Sequence, residues 1–107
     1  RLPVAVSHGE GRATFEDAQM AQQTVQRQLA CLRYVDGHGH VAESYPHNPN
    51  GSTLALAGFC SEDGRFTIMM PHPERVFRTV QPSWHPPDWG ENGPWMQVFH
   101  SARAWLG

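Results

Sequence analysis

The chain has 107 residues, a length that allows one hydrophobic core and therefore one domain at most. Its formal net charge is −2, and all eight of its cationic side chains are arginines, so no basic field favours nucleic acid as a partner. The longest apolar run is far shorter than the ~20 residues of a membrane-spanning helix, which argues against a membrane partner. Because the sequence starts with neither an initiator methionine nor a signal-peptide pattern, we expect a segment cut from a longer chain.

The two cysteines, Cys31 and Cys60, both stand in apolar surroundings. Two cysteines are too few for the disulfide framework of a small secreted domain. We therefore expect both thiols to be free and buried, in a protein of a reducing compartment.

A short apolar strand is predicted over residues 2–7, and a glycine-rich polar segment follows it. In that segment His8, Glu10 and Arg12 alternate with glycines. Glycine allows a sharp turn or a close approach of the backbone to a ligand. The segment is therefore typical of either a binding loop at a strand end or a turn with solvated charges.

An amphipathic helix is predicted from Thr14 onwards. Asp17 stands three residues after Thr14, as in a variant of the capping box. Apolar residues then recur at spacings of three and four: Ala18, Ala21, Val25, Leu29 and Leu32. This spacing predicts a helix packed on a sheet, whose apolar stripe belongs to the core.

The next segment favours a strand over residues 30–36, a flexible turn over 37–40 and a short returning strand over 41–45. His38, His40 and Glu43 bring potential metal ligands close together in the sequence. A stable site needs three or four ligands at suitable spacing, and the remaining ligands are not in evidence. We therefore predict no metal site.

Residues 46–52 are rich in turn-forming side chains. Asn50-Gly51 is a strong turn signal. The amides of Asn48 and Asn50 and the hydroxyl of Ser52 suit a polar ligand as well as they suit caps on their own backbone. Both interpretations stay open from the sequence.

Two antiparallel strands are predicted next. Residues 54–60 form a nearly continuous apolar run, typical of a strand covered on both faces. A short polar hairpin turn over residues 61–65 leads into the partner strand over residues 66–70. The hairpin carries the chain to the end of the sheet at Pro71.

The segment Pro71-His72-Pro73-Glu74 places two polar side chains where that strand leaves the sheet. Pro73 disfavours the α region for His72, and in an extended segment side chains two positions apart point the same way. A carboxylate beside one imidazole nitrogen fixes the tautomer and leaves the other nitrogen as a general base. His72 and Glu74 are therefore candidates for two members of a catalytic triad, and the alternative is a solvated loop pair.

The C-terminal part predicts a helical turn over residues 75–78, a long loop over 81–94 and a final helix over 95–106. The loop is rich in proline, tryptophan and glycine, and a loop of this length is usually functional or interfacial. The helix has apolar residues at helical spacing after Pro94.

Several motifs in order resemble one known family. They are the segments His8-Gly-Glu-Gly-Arg12, Tyr45-Pro-His-Asn-Pro-Asn-Gly-Ser52, Leu56-Ala-Gly58, Met69-Met-Pro-His-Pro-Glu-Arg75 and Trp84-His-Pro-Pro-Asp-Trp-Gly-Glu-Asn-Gly-Pro-Trp95. Together they resemble the C-terminal part of the class I, or triad, glutamine amidotransferase domain of phosphoribosylformylglycinamidine synthases. The last segment resembles the large single-chain bacterial form. The resemblance covers almost the whole chain.

The resemblance implies a fold and a set of site residues. The fold is an α/β, flavodoxin-like layered domain with a mixed, partly parallel sheet and flanking helices, of which residues 1–107 are the C-terminal half. His72 is the implied triad base and Glu74 its orienting carboxylate. Residues implied to lie near the glutamine pocket or an inter-domain surface are His8, Glu10, Arg12, Asn48 and Asn50. No Gly-x-Cys-x-Gly elbow surrounds either cysteine, so the implied nucleophile lies upstream of Arg1.

The resemblance also implies a reaction and partners. Glutamine is hydrolysed to supply ammonia, which a synthetase portion of the same polypeptide uses in the ATP-dependent conversion of formylglycinamide ribonucleotide to formylglycinamidine ribonucleotide. ATP and Mg²⁺ would bind that synthetase portion, and this chain itself would hold no cofactor. The implied location is the cytoplasm. The alternative function is a non-catalytic, amidotransferase-like interaction module that uses the tryptophan-rich loop as a docking surface.

Overall fold

The computed structural model describes residues 1–7 and 11–107, so His8 and Glu10 lie outside the described residues. The chain is divided into two compact units. The first contains Arg1 and Val6–Pro71, and the second contains Leu2–Ala5 and His72–Gly107. Among the described residues no helix has the length and apolar character needed to cross a membrane.

The first unit is built on a three-stranded antiparallel sheet. Its strands are β1 (Ala30–Arg33), β2 (Leu56–Cys60) and β3 (Thr67–Met69), in the spatial order β1-β2-β3. The strands predicted over residues 30–36, 54–60 and 66–70 are confirmed, although each is shorter than its predicted range. The returning strand predicted over residues 41–45 was wrong, since Val41 makes only an isolated bridge with Val35. The hairpin between β2 and β3 is confirmed as well, since Ser61 donates its N–H to the carbonyl of Phe66.

The central strand β2 carries the core of the first unit. Leu56 is fully buried, at 0% exposure, and Ala57 and Ala55 beside it are nearly as deep. Gly58 allows β1 to approach closely, because a Cβ there would lie 3.2 Å from the Leu32 Cβ. The register between β1 and β2 shifts on both sides of Leu32, at the same place where the two strands approach closely.

Helix α1 (Ala18–Gln26) is shorter at both ends than the predicted helix. It begins after Asp17, whose carboxylate accepts a hydrogen bond from the N–H of Met20 at 2.8 Å, so Asp17 itself is the N-cap. It ends because Gln28 adopts the left-handed conformation, with φ 59°. Leu29 and Leu32 therefore continue the apolar spacing outside the helix, and their assignment to it was wrong.

The two cysteines are free, as expected, but they are not buried. Cys31 is exposed and Cys60 is half-buried. Cys31 lies on the outward side of β1, where exposure alternates along the strand. The apolar composition around each cysteine therefore did not predict its depth.

In the second unit residues 2–5 form a single antiparallel bridge, between Ala5 and His72, in place of the predicted strand. A short 3₁₀ helix spans Pro73–Arg75, three residues that overlap only the start of the predicted helical turn. The long loop is closed at its base by hydrogen bonds, one of which runs from the Gly93 N–H to the Phe77 carbonyl at 2.8 Å.

The final helix, α2 (Met96–Leu106), is confirmed within one residue. Its Phe99 packs edge-on against Phe77, with ring centroids 6.2 Å apart. The two helices and the sheet give the α/β class that the sequence predicted. Every strand pair within residues 1–7 and 11–107 is antiparallel, so the implied parallel strands are not among them.

Candidate active site

His72 stands at the point where the chain enters the second unit. Its backbone is extended, with φ −112° and ψ 82°, as the following proline predicts. Its N–H donates a hydrogen bond of 2.8 Å to the carbonyl of Ala5, and its carbonyl accepts one from Arg75 at 3.1 Å. Pro71 and Pro73 on either side are buried. The backbone of His72 is thus fixed while its ring is left to the surface.

Glu74 contacts the His72 ring directly. Nδ1 of His72 and Oε1 of Glu74 are 2.7 Å apart. The contact was predicted from an extended backbone, but Glu74 belongs to the 3₁₀ helix, and the tight turn brings the carboxylate back towards the ring. Because a carboxylate only accepts, the ring donates its Nδ1 proton, and in the neutral ring this leaves the lone pair on Nε2.

The electrostatics of the pair favour this arrangement. The hydrogen bond from His72 is the main cause that lowers the pKa of Glu74 below its ordinary 4.5. The carboxylate is therefore ionised at neutral pH. The His72 side chain is 32% exposed, so that solvent and reactants can reach the ring. A neutral imidazole held in this tautomer is suited to accept a proton at Nε2.

Asn48 in the first unit is almost completely buried, at 4% exposure, and all of its hydrogen-bonding groups face its own loop. Its Nδ2 donates to the carbonyls of Ala42 (3.2 Å) and Ser52 (3.1 Å). Its Oδ1 accepts from the N–H groups of Gly51 (3.0 Å) and Ser52 (3.2 Å). Of the two interpretations that the sequence left open, the capping one therefore describes Asn48 in this structure.

Asn50 connects the same loop to two other segments. Its Oδ1 accepts from the Ser52 hydroxyl at 2.9 Å, and its Nδ2 donates to the Gly11 carbonyl and to the Met70 Sδ, the latter at 3.2 Å. Ser52 in turn accepts a bond from the N–H of Ala13 at 3.0 Å. The loop thus holds residues 11–13 in place.

Arg12 belongs to that held segment, and its guanidinium carbon would lie 3.8 Å from a Cβ built on Gly51. In the described part of the chain no hydrogen bond or ion pair engages the guanidinium. Arg12 borders a groove of about 250 Å³. The other residues that line this groove are Gly11, Ala13, Ala57, Phe59, Ile68, Met69 and Met70. An apolar groove with a cation at its border suits a ligand with an anionic end.

The backbone after this loop adopts an uncommon conformation. Leu54 and Ala55 have φ values of 53° and 58°, in the left-handed region. Consecutive left-handed residues other than glycine are strained and persist where surrounding bonds enforce them. The Ala55 carbonyl accepts from Tyr34 and the Leu54 carbonyl from the Arg33 side chain. Nothing in the sequence signals this strain.

Neither cysteine occupies a nucleophile elbow. Cys31 lies within β1 and Cys60 ends β2 at the hairpin, whereas the elbow joins a strand to a helix. Although Cys31 is exposed as a residue, loss of water around its sulfur is the main cause that raises the pKa of its thiol, and the Cys60 thiol adds to it. A raised pKa lowers the thiolate population on which nucleophilic attack depends.

The structure does not assemble a metal site from the described residues, since they contain no group of three or more His, Cys, Asp or Glu side chains placed to hold an ion. Asp36 uses one carboxylate oxygen to accept the N–H groups of His38 (2.8 Å) and His40 (3.0 Å). These bonds, led by the one from His40, lower the pKa of Asp36. The histidine-rich segment is thus a turn closed by Asp36.

The sequence showed which side chains are polar but missed the backbone partners that hold them. The carbonyl of Ala5 holds the backbone of His72, and the indole of Trp95 holds the carbonyl of Pro3 two residues earlier. No local pattern points to either bond. Ser52 is 3% exposed, and only its position in a run of turn formers hinted at its central place in the loop.

A comparison with known protein families identifies the family of this chain. Residues 1–106 match the family model of the CobB/CobQ-like glutamine amidotransferase domain. The match covers the His72–Glu74 pair and the loop that carries Asn48 and Asn50. The chain therefore belongs to the CobB/CobQ-like glutamine amidotransferase domain family.

Proposed function

We propose that this chain is the C-terminal part of the glutaminase domain of a phosphoribosylformylglycinamidine synthase, with His72 as the base of its catalytic triad and Glu74 as the carboxylate that orients the base. The observation that carries the proposal is the 2.7 Å contact between His72 Nδ1 and Glu74 Oε1 in a chain of the glutamine amidotransferase family. The synthase in particular is supported by the motifs over residues 45–52 and 84–95.

The chemistry proposed for the site is acyl transfer. A cysteine thiolate from outside these 107 residues attacks the side-chain carboxamide carbon of glutamine, and His72 hands the thiol proton to the departing nitrogen. Ammonia leaves and a thioester remains. His72 then accepts a proton from water as the water attacks the thioester, which releases glutamate and restores the thiol. Glu74 keeps the Nδ1 proton in place and stabilises the imidazolium in each step.

The ammonia would serve an ATP-dependent amination of formylglycinamide ribonucleotide in the synthetase portion of the same cytoplasmic polypeptide. Mg²⁺ and ATP supply the activation chemistry in that portion. The described residues of this chain offer no cluster of metal ligands, so no step is assigned to them with either group.

Arg12 stays proposed as a residue that binds glutamine. Its unengaged guanidinium is suited to a carboxylate, the anionic group that glutamine carries at its α-carbon. Asn48 and Asn50 would act by fixing the loop against which Arg12 lies, since their amides are already occupied. His8 and Glu10 stay proposed as contacts on the strength of the motif alone.

The test compares two nitrogen donors in the full-length protein. His72→Ala should abolish synthesis driven by glutamine, because the thiol loses its base, and should leave synthesis driven by ammonium unchanged. His100→Ala on the exposed side of α2 is the matched control and should change neither rate.

Two outcomes would contradict the proposal. If His72→Ala lowers both rates equally, His72 is a structural residue and the triad assignment fails. If the wild-type protein forms no thioester with glutamine, the chain is the non-catalytic interaction module that the sequence left as the alternative.

A further inference from the structure

We propose that Trp95 is a positioning residue for His72, and that it acts through the N-terminal segment Leu2–Ala5. The inference rests on the proposed function, since it gives His72 a catalytic ring whose placement matters. Trp95 is separated from His72 by a long loop, and nothing in the motif around His72 points to it. All of the contacts that carry the inference lie within the second unit.

One hydrogen bond holds the backbone of His72 at its amide. Its N–H is bonded to the Ala5 carbonyl at 2.8 Å, in an isolated bridge and not in a strand. A single bridge brings none of the cooperative ladder that fixes a residue within a sheet. The position of His72 on this side therefore depends on what holds residues 2–5.

Trp95 holds the segment of residues 2–5. The indole Nε1 of Trp95 donates a hydrogen bond of 2.7 Å to the carbonyl of Pro3. Pro3 lies two residues before Ala5, so the two bonds fix the same short stretch of chain. Trp95 is half-buried, and its hydrogen bond to Pro3 is short although it lies at the exposed surface.

A second connection links His72 to Trp95, on the C-terminal side of His72. From His72 the chain runs through the 3₁₀ helix Pro73–Arg75 to Phe77, whose carbonyl accepts the N–H of Gly93 at 2.8 Å. Gly93 lies two residues before Trp95. Hydrogen bonds and short covalent stretches thus lead away from His72 in both directions and meet at Trp95, and together they restrain the backbone that carries the imidazole.

If Trp95 positions His72 in this way, glutamine-driven catalysis requires the N–H group of the Trp95 indole. Catalysis by a positioned base is sensitive to displacements well below 1 Å, and a misplacement of about that size costs on the order of 10²-fold. Loss of one of the two bonds to the segment is a smaller disturbance. We expect Trp95→Phe to lower the glutamine-driven kcat about tenfold, to leave KM for glutamine nearly unchanged and to leave the ammonium-driven rate unchanged.

The experiment uses the full-length protein and a matched control. Trp105→Phe makes the same chemical change on α2 at a residue that is 70% exposed, and it should have no effect. Because Trp95→Phe also removes volume, β-(3-benzothienyl)alanine is incorporated at position 95 as a second variant. It keeps the size of the indole and replaces only the N–H, so it should reproduce the loss in kcat.

A second readout reports on the backbone directly. Hydrogen exchange of the His72 amide should accelerate about tenfold in both position-95 variants and stay unchanged in Trp105→Phe. Unchanged exchange and kcat in the position-95 variants overturn the inference, as do equal losses with glutamine and ammonium. Faster exchange with an unchanged kcat also overturns it, because the bond would then hold the segment without serving catalysis. If His72→Ala itself fails to separate glutamine from ammonium, the proposed function has failed and the positioning role fails with it.

Discussion

The hydrogen bond between His72 and Glu74 supports the proposed role of His72 as a general base. Glu74→Gln keeps the size of the side chain and an acceptor oxygen but removes the charge that stabilises the imidazolium. We expect this variant to lower the glutamine-driven rate by a smaller factor than His72→Ala, although the loss of an orienting carboxylate can exceed ~10³. Side-by-side kcat values with glutamine and with ammonium check the order. A larger loss for Glu74→Gln than for His72→Ala would contradict the roles assigned to the pair.

The pKa of Glu74 determines the pH below which its contact with His72 is lost. Its pKa in the folded protein is lowered below the ordinary 4.5, chiefly by the hydrogen bond from His72. The stability that this contact contributes is therefore complete above about the ordinary pKa and is lost as the pH falls through the lower, folded-state value. Carbon-detected NMR titration of the Glu74 carboxyl should give a midpoint below that of an unpaired glutamate, and His72→Ala should raise that midpoint.

Arg12 is the second residue whose surroundings make a specific prediction. Its guanidinium is not engaged by a described residue, so its removal leaves no buried partner unpaired. Arg12→Gln should raise KM for glutamine about tenfold or more and change kcat little, because a charge-assisted bond to a carboxylate is lost in ground and transition states alike. Steady-state kinetics measure the two constants. Arg65→Gln, at the exposed hairpin, is the control, and a fall in kcat without a change in KM would assign Arg12 a different role.

At the scale of elements, the first helix shows where sequence reasoning succeeds and where it stops. The spacing of apolar residues predicted α1, and the capping-box pattern pointed to the acidic residue near its start. The predicted helix was too long because apolar residues of strand β1 happen to continue the same spacing. The end is set by Gln28, whose left-handed backbone lets the N–H groups of Gln28 and Leu29 bond back to Val25 (3.0 Å) and Thr24 (3.1 Å). This Schellman arrangement normally uses glycine, so glutamine gave no signal for it.

Gln28→Gly should therefore stabilise the protein. A left-handed conformation costs a residue with a Cβ about 1–2 kcal/mol, and the greater backbone entropy of unfolded glycine offsets part of the gain. We expect a net increase of about 0.5–1 kcal/mol in the free energy of unfolding, measured by urea denaturation. Gln26→Gly, two residues earlier and inside α1, should destabilise by about 1 kcal/mol. If both substitutions destabilise, the backbone of Gln28 is not the helix stop described above.

At the scale of the whole molecule, what the sequence predicted depends on how far apart the interacting residues lie along the chain. His72 and Glu74 are two positions apart, and their contact followed from the type and spacing of the residues. The hairpin between β2 and β3 is equally local, and it was predicted nearly to the residue. Trp95 and Pro3 are 92 positions apart, and no periodicity connects them. The same holds for the bond between Asn50 and Gly11, which fixes the segment of Arg12.

The last prediction concerns the source of the nucleophile. The proposed reaction needs a thiolate, and the chain has two cysteines, so both must be excluded together. Cys31 lies on the outward side of β1 with a raised pKa, and Cys60 donates weakly to the Gln28 carbonyl at 3.7 Å. In the full-length protein the double variant Cys31→Ala/Cys60→Ala should keep most of its glutamine-driven activity and still form the thioester, detected by mass spectrometry after rapid quench. The 107-residue chain alone should release no ammonia from glutamine. Loss of the thioester in a double variant that retains ammonium-driven synthesis would place the nucleophile within this chain, and the triad would have to be reassigned around Cys31 or Cys60.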